Sequence, residues 1–600
     1  MPDRLIADYA LIGNTHSAAL VGSDGSIDWC CLPHFDSGAV FCRILDATRG
    51  GYFRIGPSGK GHARRRYTPD TAVLETDFET DGGRVRLTDF MPAPRLVQSR
   101  LEKDSHIYHR VVRIVEGLGG QVALDLAFRP TFDFARAPAR LSLTQGGARA
   151  EADGAVLELR LRPTPTLTVR GDTIHARLDV EAGTRITVDL AYGDDAAGVA
   201  PAADAAALLE ETRRRWNEWE ALCTYRGPYG PLVRRSARVL KLLTFGPTGG
   251  LVAAPTTSLP EEIGGVRNWD YRFCWLRDSA LVLSALMALG YRAAALDFFD
   301  WLDELCFAEC ENVQIMYRLD GSPELPEREL SHLSGYRGSR PVRIGNAAAG
   351  QRQLDTYGYV LDAALLGLAY LRPVGEGLWH VLRHLAEQAA TNWREPDQGI
   401  WETRGPPQQY LSSKLLCWVA LDRATRFART AGLDGDVDRW RAEAETIRHT
   451  ILQDGYDPGV GAFTQALGSP RLDASALLMP LVGFLPATDE RVRSTVDRIQ
   501  ERLTVHGLVY RYLSDDGLPG GESTFAICTF WLVDNLALQG RVDEARALFE
   551  RLTGYASDLG LLAEEIEPVS GQLLGNYPQG YTHLALIRSA LAIARAGPAR

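Results

Sequence analysis

The spacing of apolar residues changes once along the chain, near position 200, and that change predicts a β-domain followed by an α-domain. Before the break, apolar and polar residues alternate, as in Leu157-Glu158-Leu159-Arg160-Leu161 and Ile186-Thr187-Val188-Asp189-Leu190. A period of two buries one face of a strand and wets the other. Asp81-Gly82-Gly83 separates the strand-like runs TAVLETDF and RVRLTDF. Gly117-Leu118-Gly119-Gly120, Gln145-Gly146-Gly147 and Gly171-Asp172 punctuate the other runs. Short strands without helical periods between them predict an antiparallel β-sandwich over residues 1–200.

Residues 201–222 then carry an Ala-rich, strongly charged helical pattern. It reads as a helical linker over 201–229 or, equally, as the first helix of the next domain. From about 230 the spacing is that of amphipathic helices. Candidates begin near Pro231, Arg277, Arg292, Gln353, Gly377, Gln408, Gly435, Glu490, Glu522, Val542 and Gln579, with a weaker one over Arg471–Leu481. About twelve helices in one unit predict six hairpins closing into an α/α barrel over 230–600, with alternate loops gathered at one mouth.

The 600 residues include 65 Lys and Arg against 76 Asp and Glu, a formal net charge of −11. That balance argues against a nucleic-acid partner, whose phosphates require a basic surface. It is compatible with a neutral substrate. Acidic Asp3 and Asp8 sit where a secretory leader would carry basic residues, and no run of apolar residues is long enough to span a bilayer. Nine scattered cysteines without CxxC spacing are read as buried thiols of a reducing compartment. The expected location is the cytoplasm, with no membrane association. His380 and His384 have helical spacing, but no third ligand is placed, so no metal is expected.

Four loops of the helical half concentrate groups that bind hydroxyl-rich ligands. From Arg267 to Asp278, the run Arg-Asn-Trp-Asp-Tyr-Arg-Phe-Cys-Trp-Leu-Arg-Asp offers carboxylates and guanidinium groups for hydroxyls, and aromatic faces for the apolar side of a ring. A salt-bridged loop with core aromatics is the alternative. The second loop, Gly399-Ile400-Trp401-Glu402, sets a carboxyl beside apolar neighbours, and desolvation of that kind suits a general acid. The third joins Val509-Tyr510-Arg511-Tyr512 to Glu522, which could merely cap the next helix. The fourth, Leu562-Ala563-Glu564-Glu565-Ile566-Glu567, carries three carboxylates flanked by apolar residues, so at least one is expected to turn inward.

Together these loops resemble glycoside hydrolase family 15, the glucoamylase and bacterial trehalase family. Three further stretches carry the resemblance: Ile6 to Ser37, Gly335 to Asn346, and Gln353-Leu354-Asp355-Thr356-Tyr357-Gly358. The resemblance implies the same sandwich, helical linker and (α/α)6 barrel. It implies that Glu402 is the general acid and Glu564 the general base. It also implies that Trp275, Arg277, Asp278, Trp401 and Arg511 bind the sugar, with Trp269 and Arg343 as further substrate-binding candidates. Family members invert, which requires two carboxyls about 6.5–9.5 Å apart with a water between sugar and base. Glu402 is expected to be protonated and Glu564 ionised. No cofactor is called for.

Some residues depart from the family pattern. Ala563 replaces the usual Ser, Glu567 the usual Asp, and the loop after Glu402 reads Pro406-Pro407-Gln408-Gln409-Tyr410-Leu411. The expected substrate is a small α-glucoside, first α,α-trehalose and then malto- or isomalto-oligosaccharides. An inverting phosphorylase or a non-catalytic sugar-binding protein are the rivals, and neither accounts for both Glu402 and Glu564. A homo-oligomer is compatible with the sequence.

Overall fold

The computed structural model describes residues 4–97, 108–194, 198–199, 204–309, 313–371 and 374–597. The start of the Ala-rich segment, at 201–203, lies outside the described residues.

Two antiparallel sheets form the N-terminal sandwich, and one strand belongs to both. Arg110–Arg129 runs for 20 residues. Its first part pairs with Gly83–Phe90 and Arg185–Asp194, and its second part with Tyr52–Pro57 and Thr173–Glu181. The strand changes sheet at Gly117-Leu118-Gly119-Gly120. This corrects the expectation that these glycines separate two strands. The reason is steric. Gly120 adopts φ +67°, and a Cβ there would lie 2.2 Å from the Gly82 carbonyl oxygen. A Cβ on Gly117 would lie 1.9 Å from that of Glu181. Side chains would block the bend that carries the strand from one layer to the other.

The alternation read from sequence is the alternation observed. Leu157, Leu159 and Leu161 are buried, whereas Glu158 and Arg160 between them are half-exposed. Each leucine so buried contributes roughly 1.5–3 kcal/mol. Between the layers the Arg113 guanidinium pairs with Asp89 (Nε–Oδ1 2.7 Å) and donates to the carbonyls of Phe53 and Gly25.

Thirteen α-helices follow among the described residues. Helix α1 (Ala205–Glu220) lays Ala205 and Leu209 on Val73, Phe90, Val112 and Ile114 of the sandwich. Its other end stacks Trp219 on Tyr291 of the helical half, with ring centroids 4.0 Å apart. The remaining helices are α2 (Gly230–Leu242), α3 (Leu276–Ala288), α4 (Ala293–Glu309), α5 (Asp355–Gly367), α6 (Glu376–Asn392), α7 (Leu411–Ala431), α8 (Val437–Asp454), α9 (Leu478–Leu481), α10 (Glu490–Arg502), α11 (Ala526–Leu538), α12 (Val542–Thr553) and α13 (Gly580–Ala596).

An inner ring closes in the order α3, α5, α7, the 3-10 turn Ala474–Leu477 leading into α9, α11 and α13, which returns to α3. Helices α4, α6, α8, α10, α12 and α2 pack outside it. Sequence chemistry sorts the two rings. Helix α11 reads AICTFWLVDNLAL and is buried nearly all round, while α10 reads ERVRSTVDRIQER and buries one stripe of Val492, Thr495, Val496 and Ile499. A helix apolar on every face belongs inside, and one with a single stripe belongs on the surface. The weak segment at Arg471–Leu481 is shorter than expected, a 3-10 turn and one α turn. Alternation of inner and outer helices brings every inner N-terminus to one end, and the sugar-binding loops meet there.

Candidate active site

The N-terminus of α3 anchors one wall. Trp275 is its N-cap residue, and Arg277 and Asp278 occupy its first turn. The turn Gly399–Glu402 approaches from the start of the segment leading to α7. Glu402 itself sits at φ +57°, a conformation costly for a side chain with a Cβ. That geometry turns its carboxyl toward α3. Oε1 of Glu402 accepts from Trp275 Nε1 at 2.7 Å and from Arg277 Nη2 at 2.9 Å.

Arg277 is a hub. Its Nη1 donates to Gln353 Oε1 (2.9 Å) and to the Ile400 carbonyl (3.1 Å), and its Nε donates to the Tyr581 hydroxyl at the start of α13. With five N–H groups on a guanidinium, one remains on Nη2. Beside it, Asp278 Oδ1 lies 3.4 Å from Arg277 Nε in an ion pair. Burial pushes the Asp278 carboxyl up to about 6, although Arg277 opposes this. Asp355, at the start of α5, is pushed up to about 7 by burial.

Glu564 stands on the loop before the two-residue strand Glu565–Ile566 and is almost fully buried. Its Oε1 accepts from the Tyr271 hydroxyl at 2.6 Å. Gly575 makes room for it. A Cβ on Gly575, which has φ +72°, would lie 2.6 Å from Glu564 Oε2. Burial, and next the negative charge of Glu261, push the Glu564 carboxyl up to about 8, while Tyr271 and Arg511 pull the other way.

Arg511 sits among three carboxylates. Its Nη2 donates to Glu261 Oε2 at 2.9 Å, contacts Glu522, and lies 3.6 Å from Glu565 Oε1. Among the described residues these three acids form the one group with metal-ligand spacing, but the guanidinium already lies against all three. Glu522 also faces Arg267, so it is part of this ion cluster and not a helix cap; Phe525 occupies the N-cap of α11. Of the three carboxylates in the fourth loop, Glu564 and Glu565 turn inward, while Glu567 accepts from the Val569 and Ser570 amides.

A single pocket, enclosing about 720 Å³ of space including its mouth, is lined by Glu402, Glu564, Trp275, Arg277, Asp278, Trp401, Arg511 and Trp269. Trp401 is fixed by its Nε1 bond to Asp473 (3.0 Å). Trp269 donates from Nε1 to Glu261 and carries the guanidinium groups of Arg343 (4.6 Å) and Arg404 (4.7 Å) against its ring. Arg343 does not reach the pocket. It stands behind Trp269 and donates to the carbonyls of Val266 and Asn268. Tyr271, Glu261, Gln353 and Tyr581 were not singled out from sequence. Tyr271 and Gln353 lay within segments that were, but no local spacing shows which carboxylate or guanidinium each will meet.

The family model described as glycosyl hydrolases family 15 matches residues 227–591, and a trehalase-like N-terminal model matches residues 3–216. The trehalase of Mycolicibacterium smegmatis is 41% identical, aligned over 98% of this chain and 91% of the relative. The trehalase of Thermoplasma volcanium is 38% identical over 97% and 92%. Among solved structures, a bacterial glucoamylase complexed with acarbose superposes with a TM-score of 0.72 at 14% identity, covering 98% of this chain and 94% of that one. This likeness concerns the fold: a β-sandwich joined to a helical barrel.

Proposed function

The chain belongs to glycosyl hydrolase family 15 and is a glycoside hydrolase, and from that premise we propose that it hydrolyses α,α-trehalose to two molecules of glucose with inversion at the attacked carbon. The observation that carries the reading is the pairing of Glu402 and Glu564 in the wall of one pocket, each fixed by an aromatic donor. The substrate is supported by near-full-length identity to proteins named trehalase.

Glu402 acts as the general acid. Both of its donors fall on Oε1, which leaves Oε2 to carry the proton delivered to the glycosidic oxygen. Glu564 acts as the general base, taking a proton from the water that attacks the anomeric carbon from the opposite face. The remaining N–H of Arg277 and the carboxyl of Asp278 hold hydroxyls of the cleaved glucose. Trp275 and Trp401 pack against its ring. Trp269 and the loop following Glu402 border the leaving glucose. Turnover requires Glu402 to donate a proton and Glu564 to accept one. A base raised toward neutrality is scarcer but stronger in its ionised form.

The division into 1–200, 201–229 and 230–600 is supported by α1, which among the described residues is the one element between the last sandwich strand and α2. We place the protein in the cytoplasm on the strength of seven cysteines that are buried free thiols among the described residues. No helix among the described residues is long and apolar enough to cross a membrane.

The test is initial-rate glucose release from trehalose, maltose, isomaltose, panose and soluble starch. The reading requires kcat/KM for trehalose at least tenfold above every other sugar. A preference for maltose or panose would replace trehalose with oligosaccharides. Glucose 1-phosphate as product would replace hydrolysis with phosphorolysis.

A further inference from the structure

The segment Asp270–Trp275 carries the aromatic donors to both Glu402 and Glu564. Tyr271 and Trp275 face the cavity, and Phe273 and Trp275 share a small apolar cluster with Ala253. The intervening Cys274 points the other way, into the main core. This is the alternation of an extended chain. Arg272, on that opposite face, leaves the barrel altogether and enters the sandwich.

Its contacts divide into two sets. Nε and Nη2 grip Asp270 in a fork, at 2.9 Å to Oδ1 and 2.7 Å to Oδ2. Nη1 crosses to the sandwich and donates to the carbonyls of Ser37 (2.7 Å) and Phe35 (3.2 Å), with Cys31 Sγ at 3.6 Å. The guanidinium also lies over the Phe134 ring at 5.0 Å. Asp270 is tied further to the barrel loop through the Gly345 amide (3.1 Å). Arg272 and Asp270 are 2% and 1% exposed. Burying an ion pair this deeply gains little stability over apolar packing. A forked guanidinium, however, fixes direction as no apolar side chain does.

The geometry points to Arg272 as a positioning residue through which the β-sandwich sets the placement of Tyr271 and Trp275, and so of Glu564 and Glu402. The sandwich is then part of the catalytic apparatus, although it contributes no residue to the pocket lining. The neighbours of the clamp are pinned on one side by sandwich carbonyls and on the other by the two carboxyls. Releasing the clamp lets both aromatic donors drift. A shift of about 1 Å in such a group can cost ~10²-fold in rate.

The inference rests on the proposed acid and base, and its test separates the two. Arg272→Lys keeps the charge but cannot hold Asp270 in a fork while reaching two carbonyls. Tyr577→Phe is the control, since it removes a different bond between the halves, from the Tyr577 hydroxyl to the Tyr9 carbonyl (2.8 Å). With trehalose as substrate, Arg272→Lys should lower kcat about 10–100-fold with KM within about threefold. It should also move the acid limb of kcat/KM to higher pH, because a slackened Tyr271 no longer stabilises ionised Glu564. Tyr577→Phe should leave kcat and the limb in place, whatever it does to Tm. If Arg272→Lys does not fold, Asp270→Asn carries the same test. Unchanged kcat and limb in the folded variant, equal changes in Tyr577→Phe, or failure of both clamp variants to fold would each overturn the assignment. A wild-type enzyme inactive on trehalose would instead count against the proposed function.

Discussion

Tyr271 and Trp275 meet edge to face, with ring centroids 5.7 Å apart and planes at 77°, and each donates to a different carboxyl of the pocket. Tyr271 holds Glu564 at 2.6 Å and Trp275 holds Glu402 at 2.7 Å. Two rings in contact, four residues apart in the chain, thus fix one acid on each side of the pocket. The spacing between acid and base is built into a single short segment.

Loss of the Tyr271 hydroxyl should expose this arrangement. Its hydrogen bond favours the ionised form of Glu564. Tyr271→Phe removes that support, so the acid limb of kcat/KM should move to higher pH and kcat at pH 6 should fall about tenfold or more. A pH–rate profile checks both. A limb that stays put would mean the hydroxyl does not act on the base.

Removing either proton-transfer group should cost about 10²–10⁴ in kcat. Glu402→Gln and Glu564→Gln are close to isosteric, so Tm should stay near that of the parent or rise for Glu564→Gln, whose parent buries a carboxyl. Steady-state kinetics beside a thermal melt separates lost chemistry from lost folding. A rate within tenfold of the parent in either variant would remove that residue from its role.

Glu261 should tune the base from a distance. Its charge is the second cause, after burial, of the raised Glu564 pKa. Glu564 shifts upward in the fold, from an ordinary 4.5 to about 8. Its contribution to stability is therefore fully present below pH 4.5 and is lost as pH rises through about 8. Glu261→Gln weakens the repulsion, so the acid limb should move to lower pH. The variant's Tm should also gain more, relative to the parent, at pH 8 than at pH 5. Equal Tm differences at the two pH values would contradict the coupling.

Gly575 should tolerate no side chain. Alanine there must adopt φ +72° and bring Cβ to 2.6 Å from Glu564 Oε2. Gly575→Ala should cost about 1–3 kcal/mol in a denaturant titration and lower kcat by pushing the base aside. Parental kcat in this variant would show that Glu564 has freedom the packing denies it.

Most of the architecture was legible in the sequence because it is written in local periods. Leu157, Leu159 and Leu161 announce a strand, and eleven of the twelve predicted helix starts lie close to observed α-helices, from α2 at Gly230 to α13 at Gly580. What was not legible depends on long-range partners. Gly117–Gly120 looked like a turn, and only the pairing of both halves of one strand shows that it is a bend between sheets. Glu522 looked like a cap until Arg267 and Arg511, 255 and 11 positions away, were seen beside it. Arg343 shared its segment with residues of the family pattern but stands behind Trp269. The Glu564 environment depends on Glu261, which shares no local spacing with it.

The most direct measurement is proton NMR of the anomeric region during the first minutes of trehalose hydrolysis, before mutarotation. Inversion by Glu402 and Glu564 predicts equal amounts of β-glucose, from the attacked ring, and α-glucose, from the leaving ring. Release of α-glucose alone would mean retention, and with it a second carboxyl acting as nucleophile instead of activating a water.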